Sequence, residues 1–570
     1  MKKQSSNFKK KSLFFLALCV GVVATNAQNF QWVRSLGGSM SDEGRAIAVD
    51  ASGNVYTTGV FQGVGDFDPG TTTFTLTALG NKDVYVSKLD AAGNFLWAKQ
   101  IGGTSAYVES HGIKVDASGN VFFVGEFQGV VDFDPGTAVF NLNGVNNDAF
   151  IAKFDASGNL VWSKDIGSSN VESARGLALD AVGNVFFTGS FSGTVDFDPS
   201  AATFNLVAPG SNKQDVFVTK FDGAGNFVWA KNMGGTSDDI GYAIAIDANN
   251  NVYTTGSFSA TADFDPGASV VSFTAAASTD MFISKLDPLG NYIWAKQFTC
   301  AAGKGIAVDG NFNVYTTSAF ASTVDFDPGP GTYTLATGVT LDADIFVSKL
   351  DVSGNFVWAK QMGGLNTNPD DALAITLDAS NNVYTTGLFS GTGDFDPGPA
   401  SYTLTAAGGT NNDVFVSKLD ANGSFVWAVK MGGTASVDQG TSIVVDPVGF
   451  VYTTGIYVSG GDFDPSAGTY TLLAAGGTDA FVHKMGTTLT TNLSEINSST
   501  STLIFPNPNN GAFTIKTNQF GLYTISNSLG QVIKTITITD ENTEIDVSTI
   551  TSGMYYLAGR NWKTKMYILN

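Results

Sequence analysis

The chain has 570 residues, of which 43% are hydrophobic and 14% charged, and its formal net charge is −21 at pH 7. This apolar content is ample for a core, which excludes an intrinsically disordered protein. The negative charge repels nucleic acid and anionic lipid, so neither is expected as a partner. The 66 glycines predict short strands and tight turns rather than long helices.

Residues 1–27 are predicted to be a secretory signal peptide. Five lysines precede an apolar run from Leu13 to Ala24, which is too short to span a bilayer, and Ala27 ends a short-residue cleavage site. No later stretch of the sequence is apolar enough to be a transmembrane segment. Once the signal is removed, Cys300 is the remaining cysteine, so packing without an intramolecular disulfide must stabilise the exported protein.

The rest of the chain is dominated by a repeat. The sequence Asp-Phe-Asp-Pro, followed by Gly or Ser, occurs seven times at intervals of 62–69 residues, and such periodicity indicates a repeat architecture. Each unit shows four main strands and turns of the type Asp-x-x-Gly-Asn, in which the aspartate accepts backbone hydrogen bonds and the glycine takes a positive φ. A tryptophan recurs with the same period at Trp32, Trp97, Trp162, Trp229, Trp294, Trp358 and Trp427.

The two ends of the repeat array complement each other. Residues 29–38 match the Trp-containing last strand of a repeat, such as 94–103, whereas the seventh repeat stops at 481–485 without that strand. A ring closed by strands from both ends pairs every sheet edge that an open array would expose. We therefore predict an all-β fold with a seven-bladed β-propeller over residues 28–486, closed by its N-terminal strand.

The repeats resemble a known family. The pattern Gly-x-Ala-Val-Asp-x-x-Gly-Asn-Val-Tyr-Thr-Thr-Gly, followed by Asp-Val-Phe-Val-Ser-Lys-Leu-Asp, is similar to the SBBP β-propeller repeat of bacterial surface and secreted proteins. The Asp-Phe-Asp-Pro insertion departs from it and lengthens each unit beyond the ~40–50 residues usual for a propeller blade. The resemblance implies a structural or binding role rather than a defined reaction.

The last part of the chain lacks this period. Residues 487–502 are predicted to be a linker, and residues 503–570 a separate small domain. Three ordered motifs, 504–508, 523–533 and 545–555, resemble the type A C-terminal sorting domain of the type IX secretion system. The resemblance implies a small β-sandwich-like domain that contacts the type IX machinery, and a protein that is secreted or held at the outer cell surface.

The repeated pentapeptide is the strongest candidate for a ligand site. Residues two apart in a strand face the same side, so Asp66 and Asp68 would present two carboxylates together, as calcium prefers. In the competing interpretation, Asp68, Pro69 and Gly70 form a type II turn without any ion, and we favour this turn-only interpretation. No cofactor is expected to be required, and calcium is the ion these loops could bind. The candidate aspartates are Asp66, Asp68, Asp132, Asp134, Asp196, Asp198, Asp263, Asp265, Asp325, Asp327, Asp394, Asp396, Asp462 and Asp464.

Signals of catalysis are lacking, and no catalytic residue is assigned. His111 and His483 replace different residues of the repeat and form neither a metal-binding spacing nor a triad. The tryptophans could form an aromatic ring for glycans, but a residue that recurs once per blade more often packs between sheets. The repeated lysine represented by Lys88 and Lys285 is interpreted as solvated.

These observations predict an exported binding or scaffold module for an extracellular glycan or protein, not an enzyme. The alternative is a polymer-degrading hydrolase, a glycoside hydrolase or lyase built on a propeller. An enzyme should have one blade that departs from the repeat with polar residues. The divergent stretches near Cys300 and Leu365 carry no acid–base set, which favours the binding role.

Overall fold

The computed structural model divides the chain into two compact units, residues 1–488 and 489–570. The predicted signal peptide and residues 488–502 of the predicted linker lie outside the described residues. The structure describes residues 28–300, 302–338, 343–364, 369–409, 411–434, 437–487, 503–505, 509, 511–517, 520–527, 531–559 and 563–568.

The first unit is built from strands β1 to β38, which follow in chain order. The first strand is β1 (Gln28–Gly38). Blade 1 contains β2 (Glu43–Val49), β3 (Val55–Phe61), β4 (Val64–Asp66), β5 (Thr75–Thr77), β6 (Asp83–Leu89) and β7 (Phe95–Ile101). Blade 2 contains β8 (Tyr107–Val115), β9 (Val121–Asp132), β10 (Asn141–Phe154) and β11 (Leu160–Ile166). Blade 3 contains β12 (Glu172–Leu179), β13 (Val185–Ser192), β14 (Thr194–Asp196), β15 (Asn205–Val207), β16 (Gln214–Phe221) and β17 (Phe227–Gly235).

The second half of this unit repeats the pattern. Blade 4 contains β18 (Ile240–Ile246), β19 (Val252–Phe258), β20 (Thr261–Asp263), β21 (Ser272–Thr274), β22 (Asp280–Leu286) and β23 (Tyr292–Phe298). Blade 5 contains β24 (Gly305–Val308), β25 (Val314–Ala321), β26 (Thr323–Asp325), β27 (Thr334–Ala336), β28 (Ala343–Leu350) and β29 (Phe356–Gly364). Blade 6 contains β30 (Asp371–Leu377), β31 (Val383–Ser390), β32 (Thr392–Asp394), β33 (Thr403–Thr405), β34 (Asn412–Leu419) and β35 (Phe425–Met431). Blade 7 contains β36 (Gln439–Val445), β37 (Phe450–Asp462) and β38 (Thr471–Thr487).

Every blade is a four-stranded antiparallel sheet. Blade 1 has the strand order β2-β3-β6-β7, and the following blades repeat it. Blade 7 has the order β36-β37-β38-β1, so its outer strand comes from the start of the chain. Along this closure Val33 lies opposite His483 and Ser35 opposite Phe481. The predicted seven-bladed all-β propeller, closed by its N-terminal strand, is confirmed.

The hydrophobic core lies between the blades. The second strands, such as β3 and β13, are buried along their whole length because neighbouring sheets cover both faces. Tyr56 of blade 1 and Phe123 of blade 2 therefore belong to the same cluster of buried side chains. Trp32 of β1, Ile47 of blade 1 and Tyr452 of blade 7 share another cluster, which lies across the closure.

The repeated tryptophan and lysine connect the outer part of one blade to the next. Trp32 Nε1 donates a hydrogen bond to Ala91 O in the turn between β6 and β7, and four other tryptophans make the equivalent bond. The core-packing interpretation of the tryptophans therefore agrees with the structure. The interpretation of the lysines as solvated is wrong: Lys285 is 4% exposed, and the Lys88 ammonium lies 4.9 Å from the centre of the Tyr56 ring.

The inserted pentapeptide hairpin pairs with the preceding blade. Gly37 and Gly38 of β1 pair with Asp66 and Gly65 of β4, and blades 2, 4, 6 and 7 have an equivalent contact. A Cβ on Gly38 would lie 2.0 Å from Val64 O, so the close approach of the two backbones requires glycine. The glycine pairs that end the Trp-containing strands therefore serve contacts between blades.

The second unit is a small β-sandwich. Its strands are β39 (Leu503–Phe505), β40 (Ala512–Lys516), β41 (Gly521–Asn527), β42 (Val532–Ile538), β43 (Asn542–Asp546), β44 (Gly553–Ala558) and β45 (Lys563–Ile568). One sheet has the order β39-β40-β43 and the other β42-β41-β44-β45. Phe513 and Ile515 of the first sheet share a buried cluster with Ile525 and Leu557 of the second.

Replacement of Leu36 in the closing strand tests the closure. Leu36 is fully buried, so Leu36→Ala is expected to lower the free energy of unfolding by about 2–5 kcal/mol. Leu96→Ala is the matched control, because Leu96 is 47% exposed and its truncation should cost less than about 1 kcal/mol. Equal effects in a denaturant titration would contradict the closure.

The turn aspartates predict how stability depends on pH. Burial opposes ionisation of Asp50, but hydrogen bonds from Asn54, Tyr56 and Ser52 outweigh it and lower its pKa. Seven further turn aspartates have lowered pKa values: Asp90, Asp155, Asp222, Asp287, Asp309, Asp351 and Asp378.

A lowered pKa in the folded state contributes stability above the unfolded value of about 3.9, and this is lost as pH falls through the folded pKa. The melting temperature is therefore expected to fall steeply between about pH 4 and pH 2. Thermal unfolding followed by circular dichroism checks this. A melting temperature that stays constant down to pH 2 would show that these turns contribute no net stability.

Candidate functional site

The structure shows how the predicted pentapeptide aspartates are used. Asp66 Oδ1 accepts hydrogen bonds from the backbone N–H groups of Asp68 and Phe74, at 3.0 and 2.9 Å. Asp68 Oδ1 accepts one from Gly70 N at 2.8 Å. These bonds close the hairpin, and Phe67 between the two aspartates is fully buried.

The same bonds occur in all seven blades, as in Asp132 with Phe140 and Asp462 with Tyr470. Each pair of aspartates therefore has a turn-forming role at an otherwise exposed loop. The predicted type II turn is wrong, because Gly70 does not take the positive φ that this turn type requires. Binding of calcium by these loops stays a prediction.

A different set of residues converges on the central channel. In six blades the register between the first and second strands shifts by one residue, which marks a β-bulge. A bulge redirects a side chain out of the regular pairing. The bulged residues and the corresponding Lys304 of blade 5 line one cavity of about 210 Å³. They are Arg45, His111, Arg175, Tyr242, Lys304, Leu373 and Thr441.

A glycine in the second strand accompanies the bulge. A Cβ on Gly125 would lie 1.9 Å from Glu109 O, and the equivalent glycines of the other bulged blades are equally crowded. Blade 5 has Ser318 at this position, and within the described residues its first strand pairs without a bulge. The glycine repeated in the second strand thus allows the bulge that turns a side chain into the channel.

Charged residues from blades 1 and 2 form a network beside this cavity. Lys82 Nζ lies 3.0 Å from Glu109 Oε1, and Arg45 Nη2 lies 2.6 Å from Glu43 Oε2 and 3.7 Å from Glu109 Oε2. Arg175 reaches the same region from blade 3, with its guanidinium 5.5 Å from the centre of the Tyr242 ring. The network brings acids and bases together on adjacent blades.

Glu109, His111 and Glu126 of blade 2 form the tightest part of this arrangement. One ligand atom from each lies within 4.8 Å of the others, a property that no other trio of His, Cys, Asp or Glu has among the described residues. We call Arg45, Glu109, His111, Glu126 and Arg175 the channel cluster. Such a trio could act as an acid–base set or contribute three ligands to a metal ion.

The two glutamates differ in their ionisation. Burial alone would raise the pKa of Glu109, but Arg45 and Lys82 outweigh it and lower the pKa. For Glu126 burial dominates and raises the pKa, despite the charge of Arg175. Burial, Arg175 and Arg45 lower the pKa of His111 to about 3, so this imidazole is neutral at physiological pH.

This cluster was not predicted from the sequence, although the bulge position differs between blades whereas its neighbours repeat. At the position of His111 the other blades have Arg, Arg, Tyr, Lys, Leu and Thr, whereas the adjacent buried positions repeat closely. Blade 2 also has Glu126 where blade 1 has Val60. Blade 2 therefore departs from the repeat through polar residues, whereas the divergent stretches near Cys300 and Leu365 do not.

Family comparisons match two separate parts of the chain. Residues 31–60 match the SBBP β-propeller repeat, and residues 503–567 match the secretion system C-terminal sorting domain. The propeller thus contains a stretch similar to the SBBP repeat, and the second unit contains a type IX sorting domain. The sorting domain directs the propeller to the outer cell surface or the medium and implies contact with the type IX machinery.

Two curated relatives align with parts of this chain. An uncharacterized WD repeat-containing protein of Acanthamoeba polyphaga mimivirus is 26% identical over 388 residues, which cover 57% of this chain and 27% of that protein. The regulatory protein FlaEY of Caulobacter vibrioides is 25% identical over 168 residues, covering 29% and 17%. The chain thus spans less than a third of the length of these relatives.

Solved structures show only distant similarity. The Dos1 propeller has a TM-score of 0.38 at 9% identity and covers 80% of this chain and 95% of that chain. PorZ, a surface component of the type IX secretion system of Porphyromonas gingivalis, has a TM-score of 0.23 at 13% identity and covers 92% and 81%. Scores this low carry no argument about this protein. In the described part of the chain, no helix is long and apolar enough to cross a membrane.

The glycine opposite the bulge can be tested directly. Gly125→Ala would place a Cβ against Glu109 O, so the bulge must shift, and we expect a loss of about 2–3 kcal/mol in the free energy of unfolding. Ser318→Ala changes the equivalent position of the blade without a bulge and should cost less than about 1 kcal/mol. If both variants melt like the parent, the glycine is not required for the bulge.

Proposed function

We propose that this exported propeller is a binding module whose ligand enters the central channel and contacts the channel cluster. The observation that carries the proposal is the contrast between packing and channel positions. Residues that pack between blades repeat closely, whereas the bulged residues differ from blade to blade and are mostly polar. Packing alone gives no reason for this polar variety, whereas recognition of an asymmetric ligand requires it.

The charges favour a ligand with acidic groups. Arg45 Nε and Arg175 Nε are buried and lack a hydrogen-bond partner among the described side chains and backbone groups. A guanidinium binds a carboxylate through two parallel hydrogen bonds, and the Tyr242 ring offers a flat surface for a sugar. The cavity of about 210 Å³ admits only a small group. We therefore propose an extracellular glycan with carboxylate groups as the ligand, with the acidic loop of a protein as the alternative.

A glycan array followed by calorimetry tests this binding. We expect the purified propeller to select carboxylate-bearing glycans, and Arg175→Ala to weaken the affinity about 10- to 100-fold, because a hydrogen bond to a charged group contributes about 1.5–3 kcal/mol. Lys213→Ala is the control, since this lysine is half-exposed and pairs with Asp238 outside the channel. Binding that is unchanged in Arg175→Ala would exclude the channel cluster as the site.

A second candidate function, a glycoside hydrolase, rests on Glu109 and Glu126. Two neighbouring carboxyls with pKa values shifted in opposite directions are the pattern of a nucleophile and a general acid. Incubation with the glycans selected on the array distinguishes the two functions. If the parent protein releases product and Glu126→Gln still binds the glycan but releases none, the protein is a hydrolase. If the parent binds the glycan and releases no product, the result supports a binding module.

A further inference from the structure

Buried carboxylates also meet in pairs at the junctions between blades, away from the channel cluster. One member lies on the third strand of a blade, and the other lies in or just after the connection to the next blade. None of the ten residues is more than 3% exposed. These junction pairs are Asp42 with Asp479, Asp148 with Glu172, Asp215 with Asp239, Asp344 with Asp370, and Asp413 with Asp438.

In four of the pairs the two carboxylates face the same space above a glycine, and the exception is Asp148 with Glu172. A Cβ on Gly234 would lie 2.7 Å from Asp215 Oδ1 and 2.9 Å from Asp239 Oδ2. A Cβ on Gly37 would lie 2.9 Å from Asp479 Oδ1 and 2.5 Å from Asp42 Oδ2. Because the glycine has no side chain, a small space remains above its Cα atom. One carboxylate oxygen of each acid lies at the edge of this space.

In the pair Asp215–Asp239 the hydrogen bonds leave one carboxylate oxygen unsatisfied. Asp239 accepts backbone hydrogen bonds from Gly235 and Ser259, at 2.8 and 2.9 Å. Asp215 Oδ2 accepts one from the Asn232 side chain, but Asp215 Oδ1 is buried without a partner. The corresponding Oδ1 atoms of Asp148, Asp413 and Asp479 are also buried and unpartnered.

When two neighbouring carboxylates are both buried and ionised, a positive charge is needed to compensate their negative charges. An unpaired buried charge costs several kcal/mol, and a second like charge beside it adds to this cost. A shared proton or a bound cation relieves it. Calcium accepts clustered oxygen ligands in a flexible geometry, whereas the smaller magnesium ion demands near-ideal octahedral coordination, so these carboxylates suit calcium better.

We propose that the junction pairs are calcium sites, each binding one ion between its two carboxylates, with water and backbone carbonyls completing the coordination. Export places the protein where calcium is available, and the net charge of −21 attracts cations. Two protein carboxylates per ion correspond to the weak affinities of extracellular modules, with Kd on the order of 10⁻⁴–10⁻³ M.

The pairs are not equivalent. Lys430 Nζ lies 3.4 Å from Asp413 Oδ2, so the pair Asp413–Asp438 already has a positive neighbour and should bind calcium most weakly. Asp83 has the same strand position as Asp215, but its carboxylate accepts bonds from Leu79, Gly80 and Gln100 instead of facing a second acid. Asp83 therefore provides a matched control.

Calcium titration of the chelator-treated full chain by calorimetry tests the proposal at pH 7.5. We expect four or five ions per chain, and an increase of about 3 °C or more in melting temperature at 10 mM calcium. Asp215→Asn should bind one ion fewer. Asp83→Asn and the pentapeptide variant Asp66→Asn should keep the parent stoichiometry.

The metal-free melting temperature provides a second readout. In chelator, Asp215→Asn should melt higher than the parent, because the amide removes one of two adjacent charges and can donate to Asp239. A purely structural carboxylate would instead melt lower on substitution. The proposal is overturned if 10 mM calcium produces neither heat nor a thermal shift, or if Asp66→Asn rather than Asp215→Asn loses an ion. None of these outcomes depends on the ligand of the channel.

Discussion

The antiparallel pairing of β1 with β38 is the contact on which the rest of the propeller depends. It joins segments more than 400 residues apart and supplies the fourth strand of blade 7. It also places Trp32 against Tyr452 and against the turn of blade 1, so the last junction has the same packing as the others. Without it, two sheet edges and one face of a hydrophobic cluster would be exposed to water. Cys300 is free within the described part of the chain, so non-covalent contacts of this kind hold the ring there.

The junctions of blade 7 with blade 1, blade 1 with blade 2 and blade 3 with blade 4 are stabilised from both ends of the strands. At one end, the repeated tryptophan and lysine donate to carbonyls in a turn of the next blade. At the other end, the pentapeptide hairpin reaches back to the preceding blade, where a glycine pair lets the backbones meet. The insertion that lengthens each repeat therefore strengthens contact between neighbours. Its aspartates organise the hairpin, whereas Asp148, Asp215, Asp413 and Asp479 each keep one buried oxygen without a hydrogen-bond partner.

The residues that pack between blades are repeated, whereas the residues that line the channel differ from blade to blade. A bulge in six of the first strands moves one residue per blade out of the packed sheets, so this position is free to vary without loss of packing. Polar residues collect at this position in blades 1 to 5, and Glu109 and Glu126 add an acid pair in blade 2. The repeated blades therefore surround one polar site that is asymmetric.

The sequence by itself determined the number of blades, the turns, the sorting domain and the closure of the ring. These features follow from local patterns and from their period, so no knowledge of distant contacts was needed. It did not reveal that Glu126 lies beside Glu109 and His111, or that Asp215 faces Asp239 across a glycine. Only the tertiary structure decided these neighbours, because strand register, bulges and contacts between blades bring together residues whose separation along the chain carries no signal of proximity.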